Sequence, residues 1–256
     1  MLRYHRAMAI AQDSIARDAE PPEARPLYAQ VKALMVQRMI SGAWRPGELL
    51  PSESRLAEEF GVSQGTVRKA LDSLAAENLV VRRQGRGTHV AEHDDQRALF
   101  HFFHLVGPDG GRRLPESRVL SVRKGTAGRA EAERLAVGRG DAVVRIRRVR
   151  DLDGRPAIVE TITVAGATFP GLADERNIPN TVYDLYERRY GITIARAVER
   201  LAALAADEKD AELLGIAPGA PLLEIDRTAL ALDGRPVEWR VSRCQTRNHH
   251  YLVELS

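Results

Sequence analysis

The sequence predicts a two-domain α+β protein: short helices and one basic hairpin in the first domain, an antiparallel sheet with flanking helices in the second. Three observations predict it. The chain has 256 residues, more than one domain of about 100 to 150 residues usually holds and enough for two. Helical periodicity near the start gives way around Leu79 to a strand pattern with a basic, glycine-rich turn. Beyond residue 130, part of the sequence recurs 79 residues later.

The first domain is expected over residues 26–92, behind a flexible leader at 1–25 that contains Pro21-Pro22 and no sustained apolar period. Leu27, Val31, Leu34 and Met35 form one helical stripe that ends near Ser41-Gly42, with Pro26 suited to its first turn. Leu56, Ala57 and Phe60 give a short helix an apolar face, Gly61 supplies a tight turn, and Ser63 is placed to cap a second helix. Val67, Leu71 and Leu74 are that second helix's buried stripe. This is a helix-turn-helix. A strand at Leu79 to Arg83, the turn Gly85-Arg86-Gly87-Thr88 and a return strand through Val90 then form a wing.

The second helix exposes Gln64, Thr66, Arg68 and Lys69 near its N-terminal end, the part that a recognition helix presents to the major groove. Gln pairs bidentately with adenine and Arg with guanine, whereas Thr and Lys suit phosphates or either base type. In the wing, Arg82, Arg83 and Arg86 stand among glycines that let the backbone approach a sugar-phosphate chain, and Arg86 is placed to enter a minor groove. Taken singly, each piece is compatible with simple helix packing or a solvated hairpin. Their order over one contiguous stretch points to double-stranded DNA.

Composition sets the outer bounds. With 44% hydrophobic and 29% charged residues the chain reads as an ordinary soluble protein, and no apolar run approaches the ~18 residues a membrane helix needs. The N-terminus has no secretory pattern, so the cytoplasm is the expected compartment. A lone cysteine, Cys244, excludes an internal disulfide and any Cys-rich zinc module. Neither metal nor cofactor is expected. The net charge of +3 favours nucleic acid only weakly.

A polar linker is expected at 93–98, followed by strand-like Leu99 to Val106 and a second domain over 99–256. Helices are predicted around Arg129 to Ala136 and Val182 to Tyr190, the latter behind Thr181 as N-cap, and strands at Ala142 to Arg150 and Ala157 to Val164. Ala132, Glu133, Leu135, Gly140, Ile146 and Arg148 recur as Ala211, Glu212, Leu214, Gly219, Ile225 and Arg227. Each copy continues into Leu-Asp-Gly-Arg-Pro, at Leu152 to Pro156 and Leu232 to Pro236, a strong hairpin signal. Two pseudo-symmetric halves sharing one antiparallel sheet are inferred. Arg148 and Arg150 lie two apart on a strand and so share a face, where paired guanidinium forks match a carboxylate or phosphate. Glu160 on the paired strand either orients one of them or meets a ligand; an internal Arg-Glu salt bridge fits the spacing equally well.

Leu50-Pro51-Ser52-Glu53, Phe60-Gly61-Val62-Ser63, Thr66-Val67-Arg68, Ala70-Leu71, Leu74 and Arg82-Arg83-Gln84-Gly85-Arg86-Gly87-Thr88 together resemble the GntR family of bacterial transcriptional regulators. The resemblance implies DNA contacts from Ser63, Gln64, Gly65, Thr66, Arg68 and Gly87, to which the basic and wing positions Arg55, Lys69, Arg82, Arg83, Arg86 and Thr88 are added. Gln64 stands where the family often has Arg, and Ser54 where an Arg often touches phosphate, with Arg55 displaced by one.

Arg148-Val149-Arg150, the two Asp-Gly-Arg-Pro turns, Asp184-Leu185-Tyr186, Leu214-Gly215 and Val253-Glu254-Leu255 make residues 99 to 255 similar to the effector domain of the HutC subfamily, the UTRA domain, which has a chorismate-lyase-like fold. That similarity implies an effector pocket lined by Arg148, Arg150, Glu160, Glu238, Ser242, Cys244 and Arg247. It also implies a homodimer formed mainly by this domain, reading an imperfect palindrome, with operator affinity set by a small anionic metabolite. Residues 244–248 depart from the Tyr- and Asp-containing pattern of sugar-phosphate-sensing relatives, and the pair His249-His250 is expected at the surface. The rival readings are a chorismate-lyase-like enzyme domain tethered to a DNA-binding module and a DNA-binding protein that senses nothing.

Overall fold

The computed structural model describes residues 25–93 and 101–254, which divide into two compact units at Ala91/Glu92. Of the leader only Arg25, and of the linker only His93, fall among them. None of the helices described is long and apolar enough to cross a membrane.

The first unit contains three helices, α1 (Leu27–Ile40), α2 (Glu53–Phe60) and α3 (Gln64–Ala76), and a two-stranded ribbon, β1 (Val80–Arg83) with β2 (Gly87–Val90). Pro26 occupies the N-cap of α1 rather than its first turn. Val31 and Met35 of α1, Leu56 of α2, and Val67, Ala70, Leu71 and Leu74 of α3 are buried together. The α3 stripe is therefore buried as expected, whereas in α1 only Val31 and Met35 of the expected stripe are buried, Leu27 and Leu34 each being 52% exposed, and Phe60 of α2 is half-buried. Gly61 ends α2 with φ 65°, the left-handed conformation that only glycine adopts without strain.

The second unit is built on a six-stranded antiparallel sheet. Its strands are β4 (Glu116–Thr126), β5 (Ala142–Leu152), β6 (Arg155–Ala165), β7 (Ile194–Ala205), β8 (Pro221–Ala231) and β9 (Pro236–Cys244), in the spatial order β4-β5-β6-β9-β8-β7. Helix α4 (Arg129–Leu135) joins β4 to β5, and α6 (Glu208–Leu214) joins β7 to β8. Each half is thus a strand, a helix and a hairpin, and the halves meet where β6 pairs with β9. The sequence repeat is this pseudo-two-fold. Between the halves runs α5 (Val182–Tyr190), behind Thr181, whose side chain makes no cap hydrogen bond.

The two hairpin turns are not copies. Asp153 (φ 53°) and Gly154 (φ 73°) both take left-handed backbone, as a two-residue turn between Leu152 and Arg155 requires, whereas at the second turn only Gly234 does. There the Asp233 carboxylate instead accepts from Arg235 N at 3.0 Å.

Helices α4 and α6 cover one face of the sheet through Ala132, Leu135, Ala211 and Leu214, packed near Val143, Val149 and Val159. Helix α5 covers the other through Val182, Tyr183 and Tyr186, packed with Ile146, Ile162 and Ala229. One expectation needs correction here. Only Leu105–Val106 of the strand-like 99–106 stretch is a strand, β3, paired with β10 (His250–Tyr251) outside the main sheet; residues 99–100 lie outside the described residues. His249 is also buried, contrary to its expected surface position.

Candidate functional site

In the first unit the Ser63 Oγ accepts from Thr66 N at 3.1 Å and lies 2.9 Å from the Thr66 hydroxyl, which fixes the start of α3. Gln64, Gly65, Arg68 and Lys69 are exposed along its first two turns, Thr66 half-buried. Arg68 does not hang free: its Nε and Nη2 each lie 2.9 Å from Glu53 Oε2, at the start of α2. Arg82 is held likewise, 2.6 Å from Asp72 and 3.6 Å from Glu53. Lys69 lies 4.3 Å above the Tyr28 ring. Among the described residues no ion pair engages Arg55, Arg83 or Arg86, and Arg83 and Arg86 stand exposed at the ribbon tip beside half-buried Thr88. Gly87 has φ 85°, and a Cβ on it would fall 2.7 Å from Leu49 Cδ1. The exposed Leu49 side chain can turn aside, but the left-handed backbone would strain any residue with a side chain.

In the second unit a cavity opens on the α5 side of the sheet, enclosing about 630 Å³ including the part open to solvent. Its floor follows from strand register. Arg148, Glu160, Ser242 and Ile225 form one row across β5, β6, β9 and β8, and Arg150, Ile158, Cys244 and Leu223 form the next. Side chains two apart on a strand share a face, so both rows point to the same side. Arg227 of β8 and Arg240 of β9 join them. Phe102, Phe103, Asn180 and Tyr183 contribute the walls.

Four buried guanidiniums line this cavity, and three are neutralised by carboxylates. Arg148 donates from Nε to Glu160 and from Nη1 to Asn180 O at 3.0 Å. Arg227 donates to Glu199 Oε1 at 2.5 Å, and Arg240 grips Glu238 with two bonds of 2.9 and 3.0 Å. Arg150 differs. Its Nε donates to Ser117 Oγ at 3.1 Å, its Nη2 to Asn180 Oδ1 at 3.3 Å, and its guanidinium carbon sits 5.5 Å from the Phe103 ring centroid. Among the described residues no carboxylate pairs with it, although the residue is only 6% exposed.

The electrostatics follow this arrangement. Burial, countered only in part by the more distant Glu160, pulls the Arg150 pKa down to about 9. Glu160 is buried too, which alone would raise its pKa, but the guanidiniums of Arg148, Arg240 and Arg150 hold it well below the usual carboxylate range. Burial pushes the Tyr183 hydroxyl up to about 12 and the Cys244 thiol well above its ordinary value. At neutral pH the floor therefore carries a fixed carboxylate, a protonated thiol and one uncompensated cation.

Of the expected pocket residues, Arg148, Arg150, Glu160, Ser242 and Cys244 come together in this lining. Glu238 and Arg247 do not. Glu238 is fully buried behind the cavity, accepting from Tyr183 at 3.2 Å, Tyr186 at 2.8 Å and Arg240, and Arg247 is exposed outside the lining. Spacing explains Glu238: Arg240, two residues on, lies between it and the cavity floor. Arg227, Arg240, Asn180 and Phe103 were missed. Arg227 carried a signal, as the repeat mate of Arg148; Asn180 and Phe103 sit in loop and irregular segments with none.

A grooved helix-turn-helix with a basic ribbon, followed by a separate unit with a charged internal cavity, defines a ligand-responsive DNA-binding regulator. Residues 27–90 match the family described as bacterial regulatory proteins, gntR family, and residues 111–250 match the UTRA domain. The chain belongs to the GntR family of transcriptional regulators, in the HutC subfamily that joins this DNA-binding domain to a UTRA effector-binding domain. It is 32% identical to the HTH-type transcriptional repressor NagR of Bacillus subtilis, over 90% of this chain and 96% of that protein. It is also 32% identical to the histidine utilization repressor of Pseudomonas putida, over 83% of this chain and 85% of that one. The ligand-binding domain of a GntR-family regulator from Bordetella bronchiseptica superposes with a TM-score of 0.55 at 32% identity, covering 61% of this chain and 99% of that domain. These relatives are regulators, and nothing among them supports the enzyme alternative.

The Arg148–Glu160 pair makes a stability prediction. Arg148→Met strips Glu160 of its nearest cation in a buried setting and should cost about 3 kcal/mol. Trp44 and Trp239 lie one in each unit, so urea unfolding followed by fluorescence in a Trp44→Phe background reads the second unit alone. An unchanged midpoint there contradicts the pairing.

Proposed function

We propose that this protein is a cytoplasmic homodimeric repressor that binds an imperfect palindrome and leaves it when a small anion enters the cavity of its C-terminal domain. The uncompensated Arg150 guanidinium is the observation that carries the effector half of this reading. A guanidinium keeps its proton under physiological conditions, so burying it without a carboxylate is costly unless a ligand supplies the charge. Glu160, held ionised, and Cys244, held protonated, are not poised for proton transfer or nucleophilic attack near neutral pH. That supports a sensing role over an enzymatic one.

On the DNA side, Gln64 is proposed to read a base edge, with Arg68 oriented for the same groove by its Glu53 tether. Ser63 and Gly65, at the capped start of α3, offer backbone N–H groups to the phosphate chain, with the Thr66 side chain beside them. Lys69 and Arg82 add field, while Arg55, Arg83 and Arg86 contact phosphate, Arg86 and Gly87 entering the minor groove with Thr88 beside them. One symmetry axis gives two half-sites about 34 Å apart. Dimerisation is assigned to residues 99–256 and the connection between units to 93–98.

His93, at the start of that connection, supports a route of communication. Its ring centroid lies 5.7 Å from Phe102 and 5.6 Å from Tyr183, both cavity residues, and its Nε2 accepts from Ile194 N at 3.0 Å. Displacing either wall displaces the root of the linker.

Two measurements test the proposal. Arg83→Ala/Arg86→Ala should lower the slope of log affinity against log salt by roughly 2 per subunit, at about 0.9 per phosphate contact, whereas an unaltered slope removes both from the DNA face. A metabolite that weakens operator binding by some factor must itself bind the protein–operator complex more weakly by the same factor. Equal effector affinities with and without operator would leave no regulation to explain.

A further inference from the structure

The cavity's charge and polar bookkeeping specify the effector more closely than its sign. Each of three guanidiniums is met by its own carboxylate, Glu160, Glu199 or Glu238, so the floor lacks one negative charge. The polar groups of the wall are also largely spent on one another. Ser242 Oγ donates to Glu160 at 3.2 Å, Tyr183 OH to Glu238 at 3.2 Å, and Tyr251 OH to Glu199. A ligand carrying a ring of hydroxyls would find few free hydroxyl donors there, the remaining capacity of these groups being as acceptors.

Around Arg150 one side of the lining is apolar, with His104, Asn180 and Thr181 on the other. Leu105, Ile158, Ile225 and Cys244 form one buried cluster with Phe103 and Tyr251 packed on it, and a protonated buried thiol behaves as a small hydrophobe. Arg150 still has three of its five N–H groups unengaged among the described residues, since only Nε and one Nη2 hydrogen are bonded. A planar, singly charged fork partner fits there.

We infer that the effector is a small monocarboxylate with an apolar, hydroxyl-poor body, its carboxylate forked onto Arg150 and its body laid against Phe103, Ile158, Ile225 and Cys244. This rests on the proposed effector role of the cavity and narrows it. Phosphate esters of sugars are disfavoured on two counts: they bring about two negative charges where one is lacking, and hydroxyls where the wall's own hydroxyl donors are already engaged.

Isothermal titration of the full-length protein tests this. The probes are a panel of branched alkanoates and arylalkanoates that includes 3-phenylpropionate, the matching 3-phenylpropionamide, and glucose 6-phosphate. At least one carboxylate should bind, its amide should bind about tenfold or more weakly, and Arg150→Met should weaken the acid about tenfold or more and the amide by much less. Glucose 6-phosphate should give no heat of binding. If glucose 6-phosphate binds, loses affinity in Arg150→Met, and the carboxylates are silent, the monocarboxylate is overturned and the anion pocket stands. If acid and amide bind equally, or the whole panel is silent, the inference fails as well, and the effector role is then judged by the operator linkage alone.

Discussion

A charge taken out of water has to be met by another charge or by several hydrogen bonds, and the floor of the second unit obeys this rule three times and leaves it open once. Arg148, Arg227 and Arg240 are each matched to a carboxylate that the fold itself supplies. Arg150 is matched only to a hydroxyl, an amide oxygen and an aromatic ring. Neutral partners recover part of the lost hydration and none of the charge. The fold thus places one unbalanced cation in a cavity that opens to solvent, where a mobile anion can balance it.

That arrangement is a product of the pseudo-two-fold. Because the halves meet at β6 and β9, the inward rows of four central strands combine into one floor. The repeat mates Arg148 and Arg227 both face it, each on the second strand of its own half. Symmetry would have given a symmetric site, but the halves diverge: Arg148 is held by Glu160 on the neighbouring inner strand, while Arg227 is held by Glu199 on the outer one. The asymmetry leaves Arg150 alone on one side, beside Phe103 and Asn180.

Much of this was legible in the sequence, and the rest was hidden for identifiable reasons. The helix-turn-helix and its wing could be read because Gly61, Ser63 and the apolar stripes announce themselves locally. The hairpins were marked by Asp153-Gly154 and Asp233-Gly234. The two outer strands gave no such signal. β4 is largely polar with none of its positions buried, and β7 runs Arg200-Leu201-Ala202-Ala203 with all four exposed, so neither reads from its residues as a half-buried strand. In the site, Arg148, Arg150 and Glu160 were found because residues two apart on a strand must share a face. The tether of Arg68 to Glu53 and the walls from Asn180 and Phe103 join segments distant in sequence, and spacing carries no information about them.

If Arg150 is kept for a ligand rather than for the fold, its burial costs the unliganded protein at least as much as its attraction to Glu160 returns. Arg150→Met retains the volume and the contact with Phe103, and Ser117 Oγ and Asn180 Oδ1 remain bonded to each other at 2.6 Å. The melting temperature of this variant, measured without effector, should equal or exceed that of the parent protein. A fall of about 4 °C or more, the change expected for a loss of roughly 1 to 2 kcal/mol in a domain of this size, would show that the guanidinium holds the structure together and would contradict the account.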